Sequence, residues 1–163
     1  MGETAEAAQA RRDRVFLVVV DDSAERSVAL RYAALRVRKS GGRMALLRVI
    51  EPAGQVEWAG VGAMLAEERR EEAERLLSGL AAEVNELTGG LPILLIREGD
   101  PRDELLALLA EDPRISILVL ASATEGGPGP LIQALTGRYA TKLLVPMTIV
   151  PGGMSDPELD RVT

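Results

Sequence analysis

The sequence predicts an α/β fold, with a single doubly wound domain built on a five-stranded parallel sheet. Short apolar runs alternate along the chain with segments whose apolar residues recur at helical spacing. The first run, Val15–Val20, is apolar at every position, as a strand covered by helices on both faces requires. A length of 163 residues suits one domain with its own core.

The first half of the chain reads as strand, helix, strand. The first strand ends at the polar run 21–23, in which Asp22 or Ser23 is predicted to cap the following helix. Gly41-Gly42 is expected to end that helix, because glycine is favoured just beyond a helix C-terminus. A second strand is predicted over Met44–Ile50.

A long helix should follow the second strand, over residues 63–87, since its apolar residues keep helical spacing. The charged run Glu67–Glu72 near its start indicates a solvated face. Ile93–Ile96 reads as the third strand. Beyond it, Asp100 is the predicted N-cap of a helix whose first residue is Pro101.

The fourth and fifth strands are predicted over Ile115–Leu120 and Met147–Val150. The ends of the chain are polar and are expected to be loose. The predicted organisation is a flexible N-terminal segment (1–13), one domain (14–152) and a flexible C-terminal tail (153–163). Trp58, between the second strand and the long helix, is expected to pack against the protein rather than against a ligand or a dimer mate.

Composition argues against several classes of function. The absence of His and Cys removes the Ser-His-Asp triad, thiol nucleophiles and the commonest zinc ligands, so an enzyme is disfavoured and no metal site is predicted. A net charge of -6 and only 2% aromatic residues argue against binding nucleic acid. The sequence shows neither an apolar leader nor a run of about 18 apolar residues, which predicts a cytoplasmic protein without a membrane partner.

Five short motifs, in this order, resemble those of the universal stress protein family. They are Val-Val-Asp-x-Ser at 19–23, Leu-Leu-Arg-Val-Ile at 46–50, Gly-Asp-Pro at 99–101, Ile-Leu-Val-Leu at 117–120 and Pro-Met-Thr-Ile-Val-Pro at 146–151. The resemblance implies strand order 3-2-1-4-5 in an adenine nucleotide alpha hydrolase-like domain. It also implies a homodimer that pairs through the last strand, here Met147, Thr148, Ile149 and Val150.

The resemblance further implies ATP or AMP as candidate ligands. Asp21 matches the acidic residue that holds ribose or metal in the ATP-binding members, and the backbone near Val49 matches the part that faces adenine. Those members also carry Gly-x-x-Gly, nine residues, and then Gly-Ser or Gly-Thr after the fourth strand. Such glycines let backbone N–H groups approach the phosphates.

This chain departs from the family pattern in the phosphate loop. Ala121 and Thr124 stand where the first two glycines are expected. Gly126 and Gly129 form another Gly-x-x-Gly five residues later, and only seven residues separate Gly129 from Gly137.

Two interpretations of this loop follow from the departures. In one, the loop is a remodelled anion site in which Arg138 or Lys142 replaces the hydroxyl that the family has after its last glycine. In the other, the loop is shaped only by turn chemistry, with Pro130 starting a helix.

Three hypotheses of function remain. The first is a dimeric regulatory binding module that has a degenerate nucleotide site and acts on an unidentified protein partner. The second is an ATP- or AMP-binding switch with slow or no hydrolysis. The third is an enzyme unrelated to nucleotides that uses Asp21 and Asp22 as acid and base.

Overall fold

A parallel sheet forms the centre of the molecule in a computed structural model, which describes residues 2–52 and 59–163, without the side chains of 59–61. Trp58 lies outside the described residues, so the prediction made for it stays untested. The strands are β1 (Val15–Val19), β2 (Arg43–Ile50), β3 (Ile93–Glu98), β4 (Ile115–Ser122) and β5 (Met147–Pro151). The helices are α1 (Ala5–Arg12), α2 (Arg26–Ser40), α3 (Ala59–Thr88), α4 (Pro101–Glu111), α5 (Pro130–Thr136) and α6 (Asp156–Val162), and a 3-10 turn spans Ala140–Lys142.

The strand order is β3-β2-β1-β4-β5 and every pairing is parallel, which confirms the predicted fold class and strand order. In register, Val15 of β1 lies between Arg43 of β2 and Ile115 of β4. Strands β2 and β3 lie on one side of β1, and β4 and β5 lie on the other side. The strand order therefore reverses between β1 and β4, and ligands of such sheets bind at the crevice beyond this point.

The core lies on both faces of the sheet, as the uninterrupted apolar run of β1 predicts. Phe16 and Val18 pack on one face with residues of α2, α3 and α6, whereas Val15 and Leu17 pack on the other with residues of α4 and α5. Successive side chains of a strand point to opposite faces, so a strand buried on both sides must be apolar throughout.

Helix α4 begins as its sequence predicts. The Asp100 carboxylate accepts hydrogen bonds from the backbone N–H groups of Arg102 (3.0 Å) and Asp103 (3.3 Å), and Pro101 is the first helical residue. The Arg102 side chain donates to the same carboxylate, and chiefly through this hydrogen bond it lowers the pKa of Asp100 to about 2.

The predicted cap of α2 is wrong. The helix begins at Arg26 with Glu25 at its N-cap, so neither Asp22 nor Ser23 occupies that position. Ser23 is used otherwise, because its backbone N–H (2.9 Å) and its hydroxyl (2.5 Å) both donate to Oδ1 of Asp21. Because of this local turn, the helix begins two or three residues later than predicted.

The prediction of a loose C-terminal tail is wrong as well. Ser155 caps α6 in a reciprocal capping box with Glu158, and Leu159 is only 1% exposed, within the core on the α2 face. Three scattered apolar residues in a polar tail, Met154, Leu159 and Val162, are a weak sequence signal, and for that reason the sequence does not predict the helix.

The N-terminal segment carries a helix that the sequence analysis did not predict. Thr4 caps α1 by accepting a hydrogen bond from the backbone N–H of Ala7. Within this described helix no side chain is buried, so it contributes nothing to the core. Among the described residues, no helix combines the length and the apolar character that crossing a bilayer requires.

Candidate functional site

Two cavities open where the carboxyl ends of the central strands meet, as far as the described residues define them. The larger, about 590 Å³, lies beyond β1 and β2 and is flanked by α3. The smaller, about 80 Å³, lies beyond β1 and β4 beside the start of α5. Val19 and Asp21 line both cavities, so Asp21 stands at the junction between them.

Asp21 is held in place by the turn that follows β1. Its Oδ1 atom accepts two hydrogen bonds from Ser23, and its backbone carbonyl accepts one from the Arg26 guanidinium (2.8 Å). The carboxylate is nevertheless exposed, at the mouth of the larger cavity. An ordered, exposed carboxylate is suited to accept hydrogen bonds from ligand hydroxyl groups.

Arg48 places an ordered positive charge in the larger cavity. Its guanidinium donates to the backbone carbonyl of Val20 (3.2 Å) and to Oδ1 of Asp22 (3.0 Å). The Asp22 side chain is largely exposed, so the ion pair adds little stability. Instead, the two contacts fix the position of the Arg48 guanidinium between β2 and the turn after β1.

Helix α3 supplies two further charges of the larger cavity. Arg69 donates to the backbone carbonyl of Glu51 (3.2 Å), and both Arg69 and Glu72 line the cavity. In the run Glu67–Glu72 every residue is exposed except Arg69, which is half-buried, so the run forms the solvated face that the sequence predicts.

The charged lining of the larger cavity is more acidic than basic. Among the described residues, its charged lining comprises four carboxylates and two guanidinium groups: Asp21, Asp22, Glu51, Glu72, Arg48 and Arg69. A net negative lining raises the free energy of a polyanion at this position.

The loop after β4 is held by contacts within the chain. Oε1 of Glu25 accepts hydrogen bonds from the hydroxyl (3.1 Å) and the backbone N–H (3.4 Å) of Thr124. The pKa of Glu25 is lowered first by its own backbone N–H and then by these two groups of Thr124. Ala123 donates to the backbone carbonyl of Pro128 (3.2 Å), which closes the loop on itself.

The structure brings together half of the predicted site residues. Asp21 and Val49 both line the larger cavity. Ala121 and Gly129 line the smaller cavity together with Asp21.

The other half of the predicted site lies elsewhere. Thr124, Gly126, Gly137 and Arg138 all belong to the described part of the chain, and none of them lines either cavity. Gly137 ends α5, where a β carbon would lie 2.9 Å from the carbonyl oxygen of Gln133, so its role there is structural.

Turn chemistry explains the glycines of the loop after β4. Gly126 and Gly129 have φ angles of 73° and 105°, which other residues adopt rarely. A β carbon at either position would meet no described atom within 4 Å, so close packing is not the reason for glycine. Pro130 is the first residue of α5, as the turn interpretation predicts.

The sequence does not predict a role in the site for three residues: Arg48, Arg69 and Glu25. Arg48 did leave a signal, because it is a single charge inside an otherwise apolar strand, close to the carboxyl end where ligands bind. Arg69 and Glu25 left none, since their roles depend on tertiary contacts to Glu51 and Thr124.

Among the residues that the structure describes, no three carboxylates cluster in a way that would hold a metal ion.

A comparison with known protein families identifies the family of this chain. The family model described as Universal stress protein family matches residues 14–151. The chain belongs to the universal stress protein family. The match includes all five strands and both cavities described above, and it confirms the resemblance drawn from the five sequence motifs.

Solved universal stress proteins share the fold. UspA from Lactobacillus plantarum superposes with a TM-score of 0.72 at 16% identity, covering 85% of this chain and 98% of that one. A family member from Arabidopsis thaliana with AMP bound has a TM-score of 0.58 at 15% identity, covering 88% and 97%. A universal stress protein in complex with cAMP has a TM-score of 0.57 at 17% identity, covering 86% and 98%. No curated protein sequence matches the chain significantly.

Proposed function

We propose that this universal stress protein is a dimeric regulatory binding module whose nucleotide site is degenerate in its phosphate-binding half. The observation that carries the proposal is the separation of the predicted site residues. Asp21 and Val49 share the larger cavity, whereas Thr124, Gly126, Gly137 and Arg138 lie away from both cavities. Surface contacts with a protein partner, rather than turnover, would then be the output of the module.

The charge of the larger cavity supports the same proposal. Four carboxylates face two guanidinium groups there, and the two guanidinium groups already donate to partners within the chain. A nucleoside triphosphate is a polyanion that requires several donors, as glycine-rich phosphate loops provide. In the part of the cavity that the structure describes, a triphosphate finds few free donors and an unfavourable potential.

The free edge of β5 supports the dimer. Among the described strands, in the order β3-β2-β1-β4-β5, the last strand pairs only with β4, and Ile149 on it is 40% exposed. An exposed apolar edge strand is a liability unless another chain covers it. Pairing of Met147–Val150 with the same strand of a second copy would cover this edge symmetrically.

A second candidate is an AMP-binding switch. It is favoured by the volume of the larger cavity, about 590 Å³, which is in the range of small-molecule sites. The solved relatives with AMP and with cAMP bound add support. In this candidate, the adenosine part lies against Val49 and Asp21 and the single phosphate stays outside the smaller cavity.

Thermal unfolding with added nucleotide tests the proposal and separates the two candidates. A ligand that binds only the folded state raises the melting temperature. We expect no rise with millimolar ATP and Mg²⁺, and a rise with AMP alone would favour the switch. Equal rises with ATP and AMP, both lost on Asp21→Ala, would contradict a degenerate site.

A further inference from the structure

Basic residues gather at the end of the sheet opposite the two cavities, where the parallel strands begin. There the chain that enters β1 meets the chain that leaves α2. The Arg14 guanidinium donates to the backbone carbonyl (3.2 Å) and the hydroxyl (3.0 Å) of Ser40, the last residue of α2. A β carbon at Gly41 would lie 3.8 Å from Cγ of Arg12. We call this surface the basic end and define it by five residues: Arg11, Arg12, Arg14, Arg36 and Arg43.

The charges of the basic end are largely unpaired in the described part of the chain. Among its residues only Arg11 forms an ion pair with a described residue, Glu3, at 3.0 Å. The carboxylate of Asp13, in the same segment, accepts a hydrogen bond from a glutamine side chain instead. Burial lowers the pKa of the Arg14 guanidinium, and the positive charges of Arg36 and Arg11 lower it further. The basic end is therefore a local concentration of positive charge on a chain whose net charge is -6.

Helix ends account for only part of this charge. Arg11 and Arg12 lie in the last turn of α1, where cations interact favourably with the helix dipole. Arg14 serves the end of α2 through its contact with Ser40. Arg36 precedes the last turn of α2 and Arg43 begins β2, so neither of them complements a helix end. The position of these two cations calls for another explanation.

A small apolar groove adjoins the basic end. Its volume is about 70 Å³, and its described lining includes Val37, Met44, Val84, Leu91 and Arg43. Leu91 is 64% exposed, and the Arg43 side chain donates to its backbone carbonyl (3.2 Å). Arg43 thus belongs both to the basic end and to the groove. Apolar residues beside arginine are typical of protein–protein interfaces, in which arginine is enriched and the buried centre is apolar.

We propose that the basic end and the adjoining groove form a docking surface for an acidic segment of a partner protein. The proposal deepens the proposed function, on which it rests, by naming the surface that contacts the partner and the chemistry of that partner. Carboxylates of the segment pair with guanidinium groups, whose planar donors match a carboxylate in bidentate geometry. An apolar side chain of the segment packs in the groove beside Leu91.

Nucleic acid fits this surface less well than an acidic protein segment does. Aromatic residues make up only 2% of the chain, so bases find few side chains on which to stack. The net charge of -6 repels a long polyanion beyond the basic end, whereas a short acidic segment meets only the local positive charge.

Fluorescence anisotropy with a labelled peptide of repeated Glu-Glu-Leu tests the proposal. We expect the wild-type protein to bind this peptide at low salt and to bind it more weakly as salt is added, because ions screen exposed charges. The double variant Arg12→Gln/Arg36→Gln should weaken binding roughly tenfold, because two ion pairs are lost. The matched control Arg70→Gln/Arg75→Gln removes two charges from exposed positions of α3 and should leave binding unchanged.

The groove has its own variant and control. Leu91→Ser should weaken binding roughly fivefold without changing its dependence on salt, because the lost contact is apolar. Leu144→Ser is the matched control, since Leu144 is also exposed (62%) but precedes β5, on the other side of the sheet. Thermal unfolding checks that the variants are folded, and Arg12→Gln alone serves if the double variant is not.

Several outcomes would overturn the docking surface. They are no binding by the wild type, equal binding by the double variant and its control, and binding that tolerates Leu91→Ser. Equally tight binding of labelled polyphosphate or single-stranded DNA would also overturn it, because the surface would then bind any polyanion. Each of these results leaves the degenerate nucleotide site standing, since the cavities lie at the opposite end of the sheet. Tight ATP binding would instead overturn the degenerate site and leave the peptide titration unchanged.

Discussion

At the scale of single residues, Gly152 shows how packing alone can require glycine. The carbonyl oxygen of Ser122 and the side chain of Glu25 occupy the space that a β carbon would need. Overpacked side chains force local shifts that cost stability. Glycine at this position therefore lets the chain after β5 pass close to Ser122 and Glu25.

Substitution of this glycine should be destabilising. We expect Gly152→Ala to lower the free energy of unfolding by about 1–3 kcal/mol, because its β carbon would lie within 2.1 Å of backbone. Gly79→Ala is the matched control, since a β carbon there would meet no described atom within 4 Å. Because Gly79 lies in the middle of α3, we expect this control to raise the free energy of unfolding by about 0.5–1 kcal/mol. Urea unfolding measures both, and an unaffected Gly152→Ala variant would show that the contact does not exist.

Asp100 gives a residue-scale prediction that depends on pH. Its carboxylate caps α4, so we expect Asp100→Ala to lower the free energy of unfolding by about 1 kcal/mol at neutral pH. The pKa of Asp100 falls from 3.8 to about 2 in the folded protein, first because Arg102 donates to it. The stabilisation is thus fully present above pH 3.8 and is lost as the pH falls through about 2.

Unfolding at several pH values measures the effect of the cap. Asp103→Asn is the control, because it removes a charge from the same helix end without removing the cap. An equal loss in both variants, or a loss for Asp100→Ala that does not shrink in acid, would rule out the capping account.

At the scale of secondary structure elements, α6 is an integral part of the domain. Leu159 enters the core, and the Arg31 side chain of α2 lies 3.3 Å from Asp156 and 3.4 Å from Asp160. Lys39, near the end of α2, donates to the backbone carbonyl of Asp160 (2.9 Å). The helix therefore docks along α2 through one buried apolar residue and a polar border.

Truncation of the buried residue in α6 should be costly. We expect Leu159→Ala to lower the free energy of unfolding by about 2–5 kcal/mol, the usual range for a fully buried leucine. Val162→Ala, in the same helix at a residue that is 50% exposed, should change it little. Chemical unfolding of the two variants checks the difference. Similar stability of both variants would mean that the segment is as loose as its sequence suggests.

How much was predictable differs from element to element. The run Val15–Val20 identified a strand buried on both faces, and Asp100-Pro101 identified the start of α4, because the deciding information is local in both cases. The start of α2 was missed because Asp21 competes for Ser23 through a turn. In the site, the position of Asp21 beyond a strand end could be predicted from the strand pattern. The contact of Glu25 with Thr124 could not, since Thr124 is 99 residues further along the chain.

At the scale of the whole molecule, we predict different effects on the oligomeric state from substitutions at the two edges of the sheet. We expect Ile149→Lys on β5 to convert dimers into monomers, because it places a charge in the proposed strand pairing. Leu94→Lys on β3 is the matched control, as Leu94 is also 40% exposed and lies on the opposite edge strand. Light scattering gives the mass of each variant. A mass that falls only for the Leu94 variant would move the interface to β3.

The central claim concerns a binding module that keeps the half of the site at Asp21 and Val49 and has lost the half that holds phosphates. Calorimetric titration of the wild-type protein with ATP and Mg²⁺, repeated with AMP, tests it most directly. We predict no saturable heat with millimolar ATP, whether or not AMP binds. Micromolar binding of ATP would contradict the account, because it would show that the chain keeps a working site for a triphosphate.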